Sequence, residues 1–368
     1  MANSISVVLP VLNEERFIRK CLLSVEAFVL PAGWSISEIL VYDGGSVDNT
    51  AESVLEAGSR IPKILLLRNP GKIQSTALNL AIKKASGDYI LRLDAHAVYP
   101  IDYLENCINA SLKSRADNVG GLFVTMPGNS SYGAQLVQAL TTHRFGVGNS
   151  GFRLGEGPGK ADTVPYGFFR KELFFKAGFF DERLVRGQDY EMNRRIAAAG
   201  GVVWREPSIV IQYFNQPYFL KFLKKQLFLE APYNAYMWFL APYAFAWRHA
   251  VTGLFAFGVL VGMVFLNVPI VSFPYSAVLG LYACLSIIAS SQQALKFHDV
   301  RHLLALPFCF FAYHFIHGIG VLFGLICLLL GIAPVQGNRE PWAGAGQYRA
   351  WPPPNGKSWD IFLRDGRE

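Results

Sequence analysis

Charged residues are scarce in this sequence, and acidic ones are almost absent from its C-terminal part. Asp, Glu, Lys and Arg together make up 17% of the 368 residues, against about 25% in ordinary soluble domains. Charges are spread through residues 1–215, whereas residues 248–333 are almost free of Asp and Glu and rich in Phe, Leu, Val and Gly. This distribution predicts a soluble domain over residues 1–215 and a membrane region over residues 248–333.

Cysteine is scarce too, and its spacing is not that of a metal site. The five cysteines are Cys21, Cys107, Cys284, Cys309 and Cys327. We expect them to be reduced and structural. A signal-peptide pattern is also missing, because the apolar run over residues 4–9 is short and is followed directly by polar residues. We therefore expect the soluble domain to stay in the cytoplasm.

Basic residues are in excess, with a net charge of +7, but they are not gathered on one face. Local groups occur at Lys221, Lys224 and Lys225 and at Lys296 and Arg301, and both groups flank apolar segments. Nucleic-acid binding requires basic residues clustered on one surface, so we exclude a nucleic-acid partner. An anionic lipid surface is the predicted partner of these cations.

The first hundred residues alternate between short apolar runs and helical patterns, which predicts an α/β fold. Predicted helices over residues 17–28 and 76–85 separate the strands, and Asn13 is predicted to cap the first of them. Strand and helix alternate, which indicates a parallel sheet with helices on both faces. The predicted strands are 5–10, 38–42, 64–67 and 89–93.

The middle of the chain is predicted to be less regular. Six glycines between Phe145 and Lys160 indicate a mobile loop. A helix is predicted to start at Gln188 or Asp189, and the last soluble strands are predicted at residues 202–204 and 209–214.

The strand that begins at Tyr89 delivers two polar side chains, Asp94 and His96, to its carboxyl end. Ligands bind at this edge of open α/β sheets, and side chains two residues apart on an extended chain point the same way. A carboxylate and an imidazole suit Mn²⁺, and less naturally Mg²⁺. The alternative is a strand followed by a polar turn.

Four blocks of sequence, in order, resemble those of family 2 glycosyltransferases. They are residues 7–15, 38–50, 69–72 and 87–94, and the resemblance extends over about residues 4–210. It implies inverting, metal-dependent enzymes with the GT-A fold, a Rossmann-like, mostly parallel sheet with helices on both faces. The Asp94-Ala-His96 sequence and the membrane tail are most similar to the succinoglycan-type membrane glucosyltransferases.

The resemblance implies a nucleotide-sugar donor site at the strand ends. Pro10 and Glu14 would line the base and ribose pocket, Asp43 would hold the uracil, and Lys72 lies in the third block. Many relatives have Asp-Asp-Gly-Ser where this chain has Asp43-Gly-Gly-Ser, so the second acid is missing.

Asp94 and His96 would hold a divalent metal, Mg²⁺ or Mn²⁺, that neutralises the diphosphate leaving group. Asp94 counts as a donor-binding residue for the same reason. Relatives have Asp-x-Asp here, so His96 is a departure from the commonest ligand pair, and both metals stay open.

Asp189 is predicted to be the catalytic base. Its place at a helix N-terminus favours the ionised carboxylate that deprotonates a sugar hydroxyl. The alternative for Asp189 is a helix cap. Gln188, Arg194 and Arg195 are candidates for contacting the acceptor or the leaving group. The family usually has Glu-Asp where this chain has Gln188-Asp189, and a single carboxylate fits inversion by one displacement.

The C-terminal part is predicted to be membrane-associated. Residues 216–247 form an amphipathic interfacial segment, and residues 334–368 form a C-terminal tail. The cations in the link at 295–302 place that link in the cytoplasm. The third span can cross the membrane or re-enter it. The predicted spans are 249–271, 275–294 and 303–332.

The first functional hypothesis is a multi-pass enzyme of the inner (cytoplasmic) membrane with its catalytic domain in the cytoplasm. It moves a hexose, by preference glucose, from a UDP-sugar to a polyprenyl-linked saccharide in exopolysaccharide or cell-surface glycan synthesis. Its partners would be the membrane and other polysaccharide-assembly proteins.

Two other hypotheses stay open. One is a polyprenyl-phosphate sugar synthase, which needs a basic pocket beside Asp189. The other is a non-catalytic membrane scaffold that binds nucleotide sugar.

Overall fold

The computed structural model describes residues 3–335, which form two compact units. The sheet unit comprises residues 3–124 and 155–213, and the helical unit comprises residues 125–154 and 214–335. Residues 125–154, which the sequence assigned to the catalytic domain, therefore lie in the helical unit. The predicted tail at 334–368 falls almost entirely outside the described residues.

The strands belong to one mixed sheet. The described residues form nine of them: β1 (Asn3–Val11), β2 (Trp34–Asp43), β3 (Ile64–Arg68), β4 (Tyr89–Arg92), β5 (Ala97–Val98), β6 (Asn118–Met126), β7 (Gly159–Lys160), β8 (Gly167–Arg170) and β9 (Val203–Phe214). Residues 203–214 form one continuous strand, so the prediction of two separate strands there is wrong.

Helices fill most of the remaining chain. The described residues form fourteen α-helices: α1 (Ile18–Glu26), α2 (Thr50–Arg60), α3 (Gln74–Lys84), α4 (Tyr103–Ser114), α5 (Tyr132–Thr141), α6 (Arg144–Val147), α7 (Gly151–Leu154), α8 (Glu172–Ala177), α9 (Gln188–Ala198), α10 (Phe219–Lys225), α11 (Ala231–Leu240), α12 (Trp247–Val264), α13 (Pro269–Phe297) and α14 (Arg301–Leu329). A π-helical turn (Gln226–Glu230) joins α10 to α11, and a 3₁₀ turn (Pro242–Ala244) follows α11.

The strand order in the sheet is β3-β2-β1-β4-β8-β6-β9-β5, with β7 paired to β9. β1 pairs in parallel with β2 and β4, and β2 pairs in parallel with β3. β8 pairs antiparallel with β4 and β6, and β9 pairs antiparallel with β5 and β7. The predicted α/β sheet is confirmed, with its parallel strands in the N-terminal half.

Successive side chains of the central strands enter two different apolar cores, as the period of a strand requires. Val7 and Leu91 belong to the core on one face, and Val8 and Ile90 to the core on the other. Helices α1, α2 and α4 cover the first face, and α3, α8 and α9 cover the second. The loops after the parallel strands are thereby left at the open carboxyl edge, where ligands bind in such sheets.

The sequence predicted a loop over the glycine-rich segment at residues 145–160, but part of this segment is helical. Its first part completes α6, and its middle part forms α7. The side chain of His143 caps α6 by accepting a hydrogen bond from the Phe145 N–H at 3.0 Å. This capping bond stabilises a short helix where the glycines predicted a loop.

Helices α12, α13 and α14 are long and apolar enough to cross a membrane. Their bounds differ from the predicted spans by two to seven residues, most at the end of α12 and the start of α13. α13 and α14 have 29 residues each, which corresponds to about 44 Å of helix and exceeds the hydrocarbon core of about 30 Å. α14 is continuous through Pro307.

Helix α14 approaches its neighbours closely through three glycines. A Cβ on Gly318 would lie 2.1 Å from the Thr252 carbonyl oxygen of α12. Cβ atoms on Gly320 and Gly324 would lie within 2.8 Å of backbone atoms of the π-helical turn and of α11. Small residues allow this kind of close packing between membrane helices.

The predicted interfacial segment divides into two different parts. α10 carries Lys221, Lys224 and Lys225, and its Leu220 side chain is 78% exposed. α11 is mostly buried within the helical unit. The basic, amphipathic character is therefore confined to α10 and does not extend over all of residues 216–247.

Candidate active site at the carboxyl edge of the sheet

The loops after β1, β2 and β3 are joined to one another. Asn13 has a φ of 55°, and its N–H donates to Ser46 Oγ at 2.8 Å while its Oδ1 accepts from the Val47 N–H at 2.9 Å. The Asn69 N–H donates to the Asp43 carbonyl oxygen at 2.7 Å. Asn13 therefore links two loops, and the prediction that it caps α1 is wrong because its side chain is already bonded elsewhere.

Three of the predicted donor residues lie at this edge. Pro10 is opposite Tyr42 near the end of β1, beyond the last residue of β4, so its missing N–H costs no hydrogen bond to that strand. The Asp43 carboxylate accepts hydrogen bonds from the Ser46 N–H (3.1 Å) and hydroxyl (2.6 Å) and so closes its own turn. Lys72 is exposed in the next loop, with a φ of 59°.

Glu14 and His96 form a pair at the same edge. Glu14 Oε1 lies 3.0 Å from His96 Nδ1, and the His96 side chain is 42% exposed. Burial disfavours the charged imidazole, but the Glu14 hydrogen bond and the charge of Asp94 outweigh it and raise the pKa of His96. Glu14 therefore orients His96, a role that the sequence did not predict for it.

The pairing of Glu14 with His96 fits a metal-binding histidine. Metal-ligating histidines usually donate their other ring N–H to a carboxylate or carbonyl, and here Nδ1 faces Glu14. Among the described residues, His96 Nε2 and Asp94 Oδ2 make no hydrogen bond. The described residues contain no group of three His, Cys, Asp or Glu that could hold a metal. The protein can thus offer two ligands, and substrate phosphates and water would have to complete the set, as they commonly do for Mg²⁺.

Asp94 is held in place by three side chains. Its Oδ1 contacts Arg92 Nη2 at 3.0 Å and accepts a hydrogen bond from Gln74 Nε2 at 2.8 Å. The Tyr99 hydroxyl accepts from the Asp94 N–H at 2.8 Å and donates to the Asp94 carbonyl oxygen at 3.0 Å. The turn after β4 and the carboxylate at its start are therefore fixed together.

Asp189 lies in the first turn of α9, which follows Gly187 at a φ of 77°. Its side chain makes no helix-capping hydrogen bond, so the alternative of a helix cap is not what the contacts show. Oδ2 lies 3.1 Å from Arg92 Nη1, and Oδ1 is buried without a hydrogen-bond partner. Burial raises the pKa of Asp189 to about 6, against the opposing effect of Arg92. A carboxyl group with this pKa can exchange a proton near neutral pH.

Arg92 joins the two carboxylates. Its side chain is 2% exposed, and the guanidinium carbon lies 4.9 Å from the centre of the Tyr166 ring. Burial alone would lower the pKa of Arg92, but the charges of Asp189 and Asp94 raise it. The guanidinium is therefore a permanent positive charge at the centre of the site.

The remaining candidates have different environments. Gln188 is 4% exposed and donates from Nε2 to Gln74 Oε1 at 2.5 Å. Arg195 is 0% exposed, with its guanidinium on Glu191 and on the carbonyl oxygens of Ala177 and Phe179.

Arg195 thus faces the interior and cannot contact an acceptor or a leaving group, so its assignment from sequence is wrong. Gln188 acts through Gln74 on Asp94. Arg194 is half-buried.

Comparison with known proteins identifies the family to which part of the chain belongs. Residues 6–174 match the model of Glycosyl transferase family 2. They form a family 2 glycosyl transferase domain. Within this domain lie the loops of Asp43 and Asp94, whereas Asp189 follows it in the chain.

Two curated relatives extend the comparison. A succinoglycan biosynthesis protein (ExoA) of Rhizobium meliloti is 30% identical over 210 residues, which are 56% of this chain and 62% of that protein. The chain thus spans less than two thirds of that relative. A dolichyl N-acetyl-alpha-D-glucosaminyl phosphate 3-beta-D-2,3-diacetamido-2,3-dideoxy-beta-D-glucuronosyltransferase of Methanococcus voltae is 27% identical over 343 residues, 88% of this chain and 98% of that protein.

The glycosyltransferase fold is also found among solved structures. A mannosyltransferase from Pyrobaculum calidifontis, solved with GDP-Man and Mn²⁺, aligns with a TM-score of 0.53 at 18% identity, covering 89% of this chain and 87% of that one. This likeness shows a shared fold, and the predicted GT-A fold is confirmed.

Arg92, Gln74 and Tyr166 were not predicted as site residues. A sequence signal existed for Arg92, because an arginine within a run of otherwise apolar residues that predicts a buried strand needs a charged partner. No such signal marks Gln74 or Tyr166, which reach the site only through the tertiary packing of α3 and β8.

Proposed function

We propose that this protein is an inverting glycosyltransferase that moves a hexose from a nucleotide sugar to a lipid-linked saccharide at a membrane. The observation that carries the proposal is the bridge from Asp94 through Arg92 to Asp189. It joins a carboxylate suited to the diphosphate side of a donor to one suited to act as a base. The match of residues 6–174, which include Arg92 and Asp94, to the family 2 model supports the same reaction class.

On the donor side, Pro10, Glu14, Asp43 and Lys72 are proposed to receive the nucleotide. The Asp43 carboxylate is held by Ser46 and keeps acceptor capacity for a base N–H or a ribose hydroxyl. The resemblance of Asp43 to the aspartate that holds uracil in family 2 enzymes supports UDP as the proposed nucleotide, and the similarity to a succinoglycan biosynthesis protein supports glucose as the proposed sugar.

The metal site proposed for the donor uses Asp94 and His96. Oδ2 of Asp94 and Nε2 of His96 would hold a divalent cation, with Glu14 orienting the imidazole. Such a cation, Mg²⁺ or Mn²⁺, would neutralise charge that develops on the departing diphosphate.

On the acceptor side, Asp189 is proposed to take the proton of the attacking hydroxyl. The hydroxyl oxygen then bonds to the anomeric carbon while the bond from that carbon to the diphosphate breaks. One displacement inverts the anomeric configuration. Arg92 balances the charge of the base before the proton arrives.

A membrane acceptor is proposed from the helical unit. Three helices are apolar enough to cross a bilayer, and α10 carries cations and exposed apolar side chains suited to an anionic membrane surface. The Methanococcus relative, which is similar along nearly its whole length, is named for transfer to a dolichyl-linked sugar. We therefore propose a polyprenyl-linked saccharide as acceptor and the inner membrane, with the catalytic domain in the cytoplasm, as location.

The donor proposal is tested by calorimetry of the purified, detergent-solubilised protein with a panel of nucleotide sugars, with and without Mn²⁺ or Mg²⁺. We expect one UDP-sugar to bind, and to bind more tightly with metal. Asp94→Ala should lose the metal-dependent part. Asp88→Ala is the matched control, because Asp88 lies before the same strand and bonds Ser4 at the opposite edge. Absence of binding by every nucleotide sugar in folded protein would overturn the proposal.

A further inference from the structure

Two arginines, Arg92 and Arg195, are buried among the described residues. Taking a guanidinium out of water is costly unless charges and hydrogen bonds compensate. Arg195 recovers this cost from one carboxylate and two carbonyl oxygens in the interior. Arg92 instead faces two carboxylates of the site and makes no hydrogen bond from Nε.

Arg92 forms close ion pairs, but some of its polar atoms lack hydrogen bonds. Nη1 lies 3.1 Å from Asp189 Oδ2, yet Nη1 and the other Asp189 oxygen, Oδ1, are buried without a hydrogen-bond partner. Buried polar groups without partners are rare in native structures and call for an explanation. Catalytic hydrogen bonds are often poorly aligned before substrate binds and tighten in the complex.

Tyr166 supports the guanidinium from the other side. Its ring centre lies 4.9 Å from the Arg92 guanidinium carbon, and its backbone has a φ of 59°. A bulky residue in the left-handed region is strained, and such strain persists only where the surrounding structure enforces it. Its hydroxyl is buried without a partner. The strained tyrosine therefore serves as a flat support for Arg92.

We propose that Arg92 is a positioning residue of the transfer reaction: one guanidinium, held on Tyr166, fixes the Asp94 and Asp189 carboxylates relative to each other. This inference rests on the proposed function. It assigns to a side chain of β4 the task of keeping the donor end and the acceptor end of the site in one geometry. A planar, two-sided fork does this, whereas a single ammonium serves one carboxylate at a time.

The arrangement has an electrostatic consequence for the base. Asp189 is faced by Arg92 from β4, by Asp94 from the turn after β4 and by Arg186 from the loop before α9. Removal of an arginine beside a carboxylate raises the pKa of that carboxylate by about one to three units. Arg92 thus sets how much of Asp189 is ionised at neutral pH.

The test compares Arg92→Met and Arg92→Lys with Arg195→Met, the other buried arginine. Infrared difference spectroscopy follows the protonated carboxyl band through a pH titration without substrate or metal, and Asp189→Asn identifies the band. We expect the Asp189 midpoint to rise by about one unit or more in Arg92→Met, to rise less in Arg92→Lys, and not to move in Arg195→Met.

Kinetics provide the second readout. In Arg92→Met the kcat at pH 7 should fall about twofold if the pKa of Asp189 rises by about one unit from about 6, and about tenfold if it rises by about two, because the ionised fraction falls by these factors. It should recover at higher pH, with a smaller change in donor KM. If Arg92→Met and Arg92→Lys both leave the Asp189 midpoint unchanged in folded protein, the positioning role is refuted. Because the infrared titration needs no turnover, that result is distinct from failure of the proposed function, which would be absence of sugar transfer by the unaltered protein.

Discussion

At the scale of single residues, the Asp189 carboxyl group governs how the rate of the proposed sugar transfer depends on pH. A base must be ionised, and burial raises the pKa of Asp189 to about 6. We predict that kcat/KM is constant above this pH and falls about tenfold per unit below it, since only the ionised fraction is active. The measurement is a pH profile of sugar transfer, with Asp189→Asn as the control that should show no such acid limb. A profile that rises as the pH falls would contradict the assignment.

Asp189→Asn itself is the sharper test of the base. The amide keeps the size of the carboxyl group but cannot accept a proton, and such groups contribute about a hundredfold or more. We expect transfer to fall by at least that factor while nucleotide-sugar binding, measured by calorimetry, is unchanged. Normal transfer by Asp189→Asn would mean that another group is the base.

Glu14 gives a prediction for the proposed metal site. Its carboxylate faces His96 Nδ1 at 3.0 Å, and removal of such a partner weakens metal affinity by about 10- to 100-fold. We predict this loss for Glu14→Gln, measured as the Mn²⁺ concentration needed for half-maximal UDP binding. Glu15→Gln is the matched control, because the Glu15 carboxylate bonds Asn49 instead. Equal losses in both variants would exclude a specific role for Glu14.

At the scale of elements, substitution of one glycine in α13 and of one in α14 is predicted to have opposite effects on stability. A Cβ on Gly318 would collide with the Thr252 carbonyl oxygen and with Ala256, whereas a Cβ on Gly280 meets nothing within 4 Å. We expect Gly318→Ala to lower the thermal unfolding temperature in detergent, and Gly280→Ala to leave it unchanged or raise it, since alanine favours helix. A similar effect of the two substitutions would contradict the close approach of α14 to α12.

Sequence patterns were sufficient to predict which side chains of a strand are buried and where the strand ends, because both follow from local periodicity. The alternation of Val7 and Val8 between two cores follows from the strand period, and the loop acids Asp43 and Asp94 follow from where buried strands end. Sequence patterns gave wrong predictions where a side chain bonds a partner that local spacing does not indicate. Asn13 bonds the loop of Ser46 rather than α1, and Arg195 turns inward to Glu191. The Arg92 bridge depends on the packing of β4, β8 and α9, which no local spacing encodes.

At the scale of the whole molecule, the predicted topology is testable by labelling. The link between α12 and α13 carries no charge, whereas Lys296 and Arg301 flank the link between α13 and α14, and cations favour the cytoplasmic side. With exposed Cys284 replaced, an impermeant thiol reagent should label Asn267→Cys in intact spheroplasts and His298→Cys only after permeabilisation. The reverse pattern would overturn the proposed orientation.

The central claim is sugar transfer from a nucleotide donor to a lipid-linked saccharide with Asp189 as base. The most direct measurement uses the full-length protein in lipid nanodiscs, a radiolabelled UDP-hexose, Mn²⁺ and polyprenyl-diphosphate saccharide, followed by extraction of the lipid phase. We expect label in the lipid product with the unaltered protein and a loss of at least about a hundredfold with Asp189→Asn. Equal label with both proteins, or none with any nucleotide sugar in protein that is folded, would contradict it.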